Sequence, residues 1–576
     1  MAGRTLELKI SLSRLRRILT LGLLIAAVLS FSAARLEQPS TAPLSLKAPA
    51  AADSRDDVGN DACAKCHRSI YDSYSRTPMA HASGMAADDL TSADFRHQKS
   101  AVHFRIYQQD GRVWLDYDRP HDPDLRGKKE LLYFIGSGRR GRSYVFSTYH
   151  FLFESPINWY TDRHTWDMAP AYGNAREIPM NLPAFASCLH CHVSGMQPPA
   201  AGTENLYPEP PFAHPGITCG RCHGPSAAHL RGGEIVNPAK LDPERRDGVC
   251  MQCHLEGKAA IERPGQHIYN FRPGDLLSDY IRYFVFAENQ NPGLGAVSQF
   301  EALAQSLCKK KSGDKMACTS CHDPHSSPSG AERASYFRDK CLACHGSKLG
   351  AKHHPEQKDC TSCHMPSSLS TDVAHTEVTD HRILRRPNPS SERFEETNQP
   401  AEAPSLVAFP YSQPEKTDTR DLALAWESLA EGGMTVATAK ADQLLPLAAL
   451  ESPNDSAVLS ALAYVEQKRG AIDRARELYE KALALDPTLV DAATNLGVIK
   501  ANQGRLPEAV QLWQGAFERS PGKSSIGMNI ARAYCGTGKI REARTYTRRV
   551  LEFNPDLSSA RSLLQHLNAT PPNCGP

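Results

Sequence analysis

The sequence lacks several features that would assign it to a common class of protein. Beyond one short N-terminal stretch, it has no apolar run long enough to cross a membrane. Its net charge is only +2, with charges of both signs spread along the chain, which argues against a dedicated nucleic-acid binder. Its mean hydropathy of −0.45 is low for a chain with a large apolar core. Something other than apolar side chains must therefore fill much of its interior.

Cysteine is scarce outside one pattern, because 14 of the 17 cysteines belong to seven copies of Cys-x-x-Cys-His. We number these motifs one to seven in chain order. The pattern is the attachment site of c-type haem, in which two thiols bond the macrocycle and the histidine ligates the iron. The thioether cysteines are Cys63 and Cys66, Cys188 and Cys191, Cys219 and Cys222, Cys250 and Cys253, Cys318 and Cys321, Cys341 and Cys344, and Cys360 and Cys363. The proximal iron ligands are His67, His192, His223, His254, His322, His345 and His364.

A structural zinc site is the alternative, since Cys-x-x-Cys is half of many such sites. A zinc ribbon does not require a histidine after every second cysteine, yet all seven pairs have one. A disulfide within each pair would leave those histidines unexplained. We therefore predict seven covalently attached haem c groups, whose macrocycles form much of the interior and without which the haem region does not fold.

The chain divides into five segments. Residues 1–34 carry arginines followed by the apolar stretch 18–32, which predicts a cleaved signal peptide or, if uncleaved, an N-terminal anchor. Residues 35–59 form a flexible tether, 60–384 a heptahaem cytochrome c domain, 385–418 a linker and 419–570 a tetratricopeptide repeat domain. Haem attachment and the export signal together predict a periplasmic or other extracytoplasmic location. Membrane contact is expected only if the N-terminal segment stays uncleaved.

The C-terminal part repeats every 34 residues, the period of tetratricopeptide repeats. Prolines recur at 453, 487, 521 and 555, glycines at 470, 504 and 538, and alanines at 475, 509 and 543. We predict three clear repeats over 454–555, a degenerate one over about 420–453 and a capping helix over about 556–568. Such an array folds without the haem region and presents a surface for a protein or peptide partner. Cys535 and Cys574 are candidates for a disulfide in an oxidising compartment.

The predicted fold class is mainly α. It comprises a multihaem cytochrome c module with little regular structure and a small β hairpin region, followed by an α-solenoid of tetratricopeptide repeats. The hairpin is expected between motifs one and two, where residues 103–107 and 113–117 flank an Asp110-Gly111 turn.

The second axial ligand of each iron decides its chemistry. A histidine gives a six-coordinate electron carrier, a methionine raises the reduction potential, and an open position permits substrate chemistry. Sixteen histidines lie outside the proximal set. Sequence context selects these distal candidates: Met79, His81, His97, His229, His325, His354, His375 and His381.

Spacing limits what these candidates can reach. His325 follows His322 by only three residues, so it cannot ligate the same iron from the opposite face and is expected on a neighbouring haem. The same argument applies to His229, six residues after motif three. Met79 and His81 lie two residues apart on a predicted helix, so at most one of them ligates. His375 and His381 are six residues apart and could ligate the irons of two different haems.

The chain resembles multihaem cytochromes fused to tetratricopeptide repeats in environmental bacteria. The resemblance rests on CAKCHRSIYDSYSRTPMAHAS, IGSGRRGRSYVF, CGRCHGPSAAHL, VCMQCHLEGK, SLCKKKSGDKMACTSCHDPH, CTSCHMP and AHTEVTDHRILRR. More distantly, the haem region is similar to the tetrahaem carrier of ammonia oxidisers, the pentahaem nitrite reductases and the octahaem hydroxylamine oxidoreductases. This similarity implies haems stacked in parallel and perpendicular pairs. The nitrite reductases carry lysine for histidine at their catalytic motif, whereas this chain has no such motif.

Two functions follow from these expectations. The first is an extracytoplasmic electron carrier with seven haems, whose repeat domain docks a redox partner. The alternative is a multihaem oxidoreductase of the nitrite/hydroxylamine type, with one open catalytic haem. Its site would involve unassigned histidines and the aromatic-rich segments 144–166 and 269–286. A scaffold that uses its haems mainly for structure is a third alternative.

Overall fold

A computed structural model of the chain describes residues 58–169, 172–287, 297, 299–352, 359–369, 377–385, 404–410 and 418–575. The predicted signal segment and nearly all of the tether lie outside these residues. Within the described part of the chain, no helix is both long and apolar enough to cross a membrane.

An antiparallel sheet of eight strands lies between motifs one and two. Its strands are β1 Ser83–Met85, β2 Ala93–Arg96, β3 His103–Gln109, β4 Arg112–Arg119, β5 Asp122–Ile135, β6 Gly141–Thr148, β7 Phe151–Tyr160 and β8 Thr165–Met168. The order is β2-β3-β4-β5-β6-β7-β8, with β1 also paired to β5. Alternate residues of β4 (Val113, Leu115 and Tyr117) are buried, the pattern of a sheet with one face on a core.

The predicted hairpin is confirmed. Strands β3 and β4 pair in antiparallel register, and Asp110 and Gly111 both have positive φ at the turn, 53° and 76°. Two-residue hairpin turns favour this conformation because its twist matches that of the strands. The hairpin belongs to the whole eight-stranded sheet, so the β region is larger than the small hairpin region expected. The rest of the predicted fold class is confirmed.

The haem motifs lie on or beside helices that alternate with loops, and the longest of these helices is interrupted at Gly346. These helices are α1 Gly59–Ala64, α2 Arg68–Tyr74, α3 Ala186–His192, α4 Gly220–His223, α5 Pro243–His254, α6 Gln299–Gln305, α7 Leu307–Ser312, α8 Arg333–Lys352 and α9 Thr361–His364. The accompanying strands are β9 Val193–Met196, β10 Phe212–Pro215, β11 Ala259–Glu262, β12 Ile281–Phe286, β13 Ser367–Leu369 and β14 Glu377–Thr379.

The segment predicted as a linker also contributes structure. Residues Leu406–Phe409 form strand β15, which pairs with β12 in a three-stranded sheet. Leu406 and Ala408 are buried while Val407 is exposed, so these four residues alternate as an ordinary strand does. Such a short alternation is easily overlooked between two proline-rich stretches.

The C-terminal part is a solenoid of helix pairs, as predicted. Its helices are α10 Thr419–Glu431, α11 Thr435–Glu451, α12 Ser456–Lys468, α13 Ile472–Leu485, α14 Val490–Asn502, α15 Leu506–Arg519, α16 Ser524–Gly536, α17 Ile540–Phe553 and α18 Ser558–Asn568. The periodic glycines at 470, 504 and 538 have positive φ at the turn within each pair. The periodic alanines at 475, 509 and 543 are fully buried, which lets paired helices approach closely. Cys535 and Cys574 form a disulfide.

The solenoid packs against the eight-stranded sheet. Phe553, at the end of α17, is buried and contacts the rings of Phe151 and Phe153 on β7 at centroid distances of 6.3 and 5.8 Å. Next to it, Asp556 is 2% exposed and pairs with Arg119 of β4, with an N–O distance of 2.5 Å. The backbone N–H of Ile178 donates to the same carboxylate at 2.9 Å. The repeat array is therefore joined to the haem module by a buried interface.

Replacing glycine with alanine should have opposite effects at two positions in adjacent helices of the array. A Cβ at Gly497 on α14 would lie 2.4 Å from the indole nitrogen of Trp513, whereas at Gly515 on α15 the nearest atom is 3.5 Å away, in the flexible Arg519 side chain. Gly497→Ala should therefore lower the free energy of unfolding by about 1–3 kcal/mol through overpacking. Gly515→Ala should raise it by about 0.5–1 kcal/mol, because alanine loses less backbone entropy in a helix. Chemical denaturation of both variants measures the two effects, and equal shifts would contradict the packing described.

Candidate haem-binding site

The seven motifs form one connected cluster, which branches at motif four. The thiols of Cys63 and Cys219 interact, which places motif one beside motif three. Motif four is adjacent to three other motifs through interacting thiols: Cys222 with Cys253, Cys191 with Cys253, and Cys250 with Cys318. The series ends with Cys321 beside Cys344 and Cys341 beside Cys360. The spatial order is one, three, four, five, six, seven, with motif two attached to four.

Three proximal histidines are oriented by backbone carbonyl groups. The Nδ1–H groups of His192, His223 and His364 donate to the carbonyl oxygens of Ala82, Val236 and Leu384, at 3.0, 2.8 and 2.5 Å. A metal-ligating histidine commonly donates its second ring N–H in this way, which fixes the tautomer and leaves Nε2 for the metal. The donor set therefore fits haem iron at motifs two, three and seven.

Burial favours the neutral form of five imidazoles in this region. Burial lowers the pKa of His192 and His254, and it lowers the pKa of His322 to about 4. The pKa values of His325 and His381 are also lowered by burial. A metal ligand must be the neutral imidazole, so desolvation here favours the form that binds iron.

Two stacked histidine pairs have a ring-centre spacing compatible with one metal ion between them. A metal–nitrogen bond of about 2 Å, with the ring centre about 1 Å farther, separates two imidazoles across one ion by about 6 Å between centres. The rings of His223 and His325 are 6.0 Å apart with planes 12° from parallel. Those of His322 and His381 are 6.3 Å apart with planes at 28°. The Nδ1–H of His381 donates to Thr379 O at 2.8 Å, which leaves its Nε2 available.

The apolar core stops where the last three motifs begin. Buried apolar side chains cluster in the eight-stranded sheet, around β12, and in the repeats. Among the described side chains of residues 318–385, none is a buried apolar one. Each of the fourteen motif cysteines is half-buried or exposed as a residue. This composition fits a module whose interior is completed by covalently attached macrocycles.

The structure separates the candidates near motif one. Helix α2 ends at Tyr74, so Met79 and His81 lie in turns rather than on the predicted helix. The Nε2 atom of His81 hydrogen-bonds the carbonyl of Ser75 at 2.7 Å. This bond occupies the ring nitrogen farther from the backbone, the atom that would otherwise ligate iron. Of the two candidates, Met79 has no such competing bond.

The other candidates have varied surroundings. His97 is buried, and its Nδ1 bonds Ser100 Oγ at 2.9 Å in the β2–β3 connection, which favours a structural role. His229 lies in an exposed turn, where its Nδ1–H donates to Gly233 O at 3.0 Å. His354 and His375 lie outside the described residues.

The aromatic-rich segments proposed for an open catalytic site form protein core instead. Tyr144 and Trp166 are buried in the sheet and contact each other at 4.8 Å between ring centroids. Tyr283, Phe284 and Phe286 are buried in β12. Packing explains these side chains, so they give no support to a substrate pocket.

Sequence reasoning missed His214. Its imidazole packs against Gly59 at the start of α1, where an added Cβ would lie 2.9 Å from the ring. Helix α1 carries Cys63, so His214 is adjacent to motif one and joins the candidate ligands of that haem. The available sequence signal was its position five residues before Cys219.

Comparison with known proteins agrees with both halves of the molecule. Residues 158–224 match the family model for cytochrome c554 and c-prime, and residues 311–350 match the doubled CXXCH motif. Residues 478–511 and 501–567 match tetratricopeptide repeat models. The chain combines multihaem cytochrome c segments with tetratricopeptide repeats. The cytochrome matches support covalently bound haem c.

One curated relative is the multiheme cytochrome MtrA of Shewanella baltica (strain OS185), 26% identical over 185 residues. The match covers 29% of this chain and 54% of MtrA, so the chain spans about half the length of that relative. Similar solved structures include MamA, at 19% identity and a TM-score of 0.21, covering 24% of this chain and 77% of MamA. Another is PilF of Pseudomonas aeruginosa, at 28% identity and 0.24, covering 26% and 68%. At these TM-scores the structural likenesses carry no argument.

Proposed function

We propose that the chain is an exported cytochrome that carries electrons through seven covalently attached haems. The observation that carries the proposal is the clustering of the seven attachment motifs, whose cysteine side chains interact electrostatically from one motif to another. Haem c, when bound, supplies an iron that gains and loses one electron. The residues of this chain attach the cofactor through paired thiols, orient it through the proximal histidines and bring neighbouring attachment sites together.

We further propose that both axial positions are histidine at two haems. His325 would complete the iron of motif three, and His381 that of motif five. The ring spacings of 6.0 and 6.3 Å support these assignments. Paired histidines give a low-potential, six-coordinate iron, which suits electron transfer rather than substrate binding.

The repeat array is proposed to dock a protein partner that exchanges electrons with the haems. Tetratricopeptide arrays bind protein and peptide ligands on their extended surfaces. Leu447 and Leu450 on α11 are 51% and 78% exposed, which makes them accessible to such a partner. Changing both to aspartate should slow reduction of the full chain by membranes of its own cells while leaving its reduction potentials unchanged. An unchanged rate would argue against docking at α11.

A reductive titration of the exported protein tests the carrier proposal. We expect seven electrons to enter per chain, reversibly and over a wide range of potential, with no turnover of nitrite or hydroxylamine. Steady consumption of either compound would instead favour the oxidoreductase alternative. If the chain takes up no electrons, only the hypothesis of a structural scaffold would remain.

A further inference from the structure

The repeat array contacts the haem module along an edge that follows the repeat period. Thr488, Gly522 and Asp556 lie 34 residues apart, each directly after a periodic proline in a turn between helix pairs. All three contact the segment 178–204, which carries motif two. We propose that these turns position the haem of motif two. The inference rests on the proposed function, because it requires a haem at this motif.

Two of the contacts lie before the motif. The backbone N–H of Ile178 donates to the Asp556 carboxylate at 2.9 Å. The side-chain N–H of Asn181 donates to the backbone carbonyl of Gly522 at 2.8 Å. These hydrogen bonds fix the chain just before α3, the helix that carries motif two.

Two more contacts lie after the motif. Gly202 is so close to Thr488 that an added Cβ would collide with the threonine side chain. Lys523 pairs with Glu204 at an N–O distance of 3.3 Å, and their side chains are only 16% and 35% exposed. Three consecutive turns of the array therefore hold motif two from both flanks.

Strand β7 connects the array to the same motif. Phe151 and Phe153 pack on the end of α17, as described above. Successive side chains of a strand point to opposite faces, so Leu152 and Glu154 face away from the array. Leu152 belongs to the buried apolar cluster that includes residues of α3, and Glu154 Oε1 lies 3.9 Å from the sulfur of Cys188. A displacement of the array would therefore reach the attachment point of this haem through a single strand.

The position of this haem matters because motif two has a neighbour in motif four. The sulfur of Cys191 lies 3.8 Å from the backbone carbonyl oxygen of Gln252, inside motif four. Electron transfer between haems slows steeply as their separation grows, and the potential of a haem depends on its hydrogen bonds and its exposure to water. Contacts that fix both flanks of motif two therefore influence both the rate of this step and the potential of its haem.

The test is a redox titration of the intact, haem-loaded protein in which haem two carries a spectral label. In a Cys191→Ala background, one vinyl group of this haem stays unsaturated, which extends its conjugation and shifts its absorption to longer wavelength. Gly522→Ala then adds a Cβ only 2.9 Å from the Phe153 ring, which displaces the array from β7. Water that enters favours the more highly charged oxidised iron. We expect the reduction equilibrium of the labelled haem to fall about threefold, equivalent to roughly 28 mV for a one-electron couple.

Two further variants make the result specific. Gly536→Ala, on α16, adds a Cβ with nothing within 4 Å and should move no potential. Asn181→Ala removes one hydrogen bond to the array without adding volume, so it should lower the same potential even if Gly522→Ala does not fold. Electron paramagnetic resonance of these variants without the label gives a second readout, in which one of seven low-spin signals should change.

The positioning role is overturned if the labelled haem has the same potential in Asn181→Ala and Gly536→Ala, because the array would then contribute stability alone. Equal shifts of all seven haems would also contradict a role specific to motif two. Failure of the carrier proposal is a distinct outcome, because the wild-type chain itself would then lack reversible haem titration.

Discussion

Replacing His381 with alanine should convert one haem of this protein from low-spin to high-spin. His381 faces His322 at 6.3 Å between ring centres, and its Nδ1–H is held by the Thr379 carbonyl. Without the imidazole, the iron of motif five loses its sixth ligand and becomes accessible to carbon monoxide. Optical and magnetic resonance spectra of the loaded protein measure the change, which should amount to one haem per chain.

Three further variants make the assignment specific. His325→Ala should produce the same change at motif three, where the facing ring of His223 is 6.0 Å away. His121→Ala, an exposed histidine in the β4–β5 turn, should leave every haem low-spin. Added imidazole should restore the low-spin spectrum of His381→Ala, because it replaces the missing ligand. A His381→Ala protein whose haems all stay low-spin would show that another side chain ligates this iron.

Replacing Asp556 with alanine should lower the free energy of unfolding by about 3–5 kcal/mol. The Asp556 carboxylate is 2% exposed and accepts from Arg119 at 2.5 and 2.8 Å and from the Ile178 N–H at 2.9 Å. Breaking a buried pair is costly because Arg119 would keep only its longer contact with Asp122, at 3.5 Å, as a charged partner. Denaturation of the loaded protein measures the effect. The repeat array should also separate from the sheet, which limited proteolysis between the two would detect.

The control is a solvent-exposed ion pair on the protein surface. Arg68 and Asp72 are 3.0 Å apart on α2, with side chains 74% and 44% exposed. Asp72→Ala should leave the free energy of unfolding nearly unchanged, because exposed pairs gain little over hydration. If Asp556→Ala were no more destabilising than Asp72→Ala, the interface between array and sheet would contribute little to stability.

Much of this architecture could be read from periodicity. The 34-residue repeat gave the helix pairs, the positive-φ glycines and the buried alanines, because each position recurs in the same environment. The Asp110-Gly111 hairpin followed from local turn chemistry. Strand β15 and the full extent of the sheet did not, since strand pairing depends on residues far apart in the sequence. The docking of Asp556 on Arg119 joins residues 437 positions apart, which no local pattern indicates.

The candidate site was likewise predictable from the sequence only in part. The Cys-x-x-Cys-His motifs can be recognised from the sequence alone, because attachment chemistry fixes the spacing of their residues. Distal ligands come from elsewhere in the chain, so their assignment requires three-dimensional proximity. His325 and His381 were among the candidates, but only the structure pairs them with His223 and His322. His214 was overlooked because its partner helix α1 lies far away in sequence.

The most direct test of the carrier proposal is the number and spin state of the irons in the exported, purified protein. Iron analysis combined with electron paramagnetic resonance in the resting state counts the haems and reports their axial ligands together. We expect seven irons per chain, all low-spin and unable to bind carbon monoxide after reduction. Fewer than seven irons, or a resting high-spin haem that binds carbon monoxide, would contradict a seven-haem electron carrier.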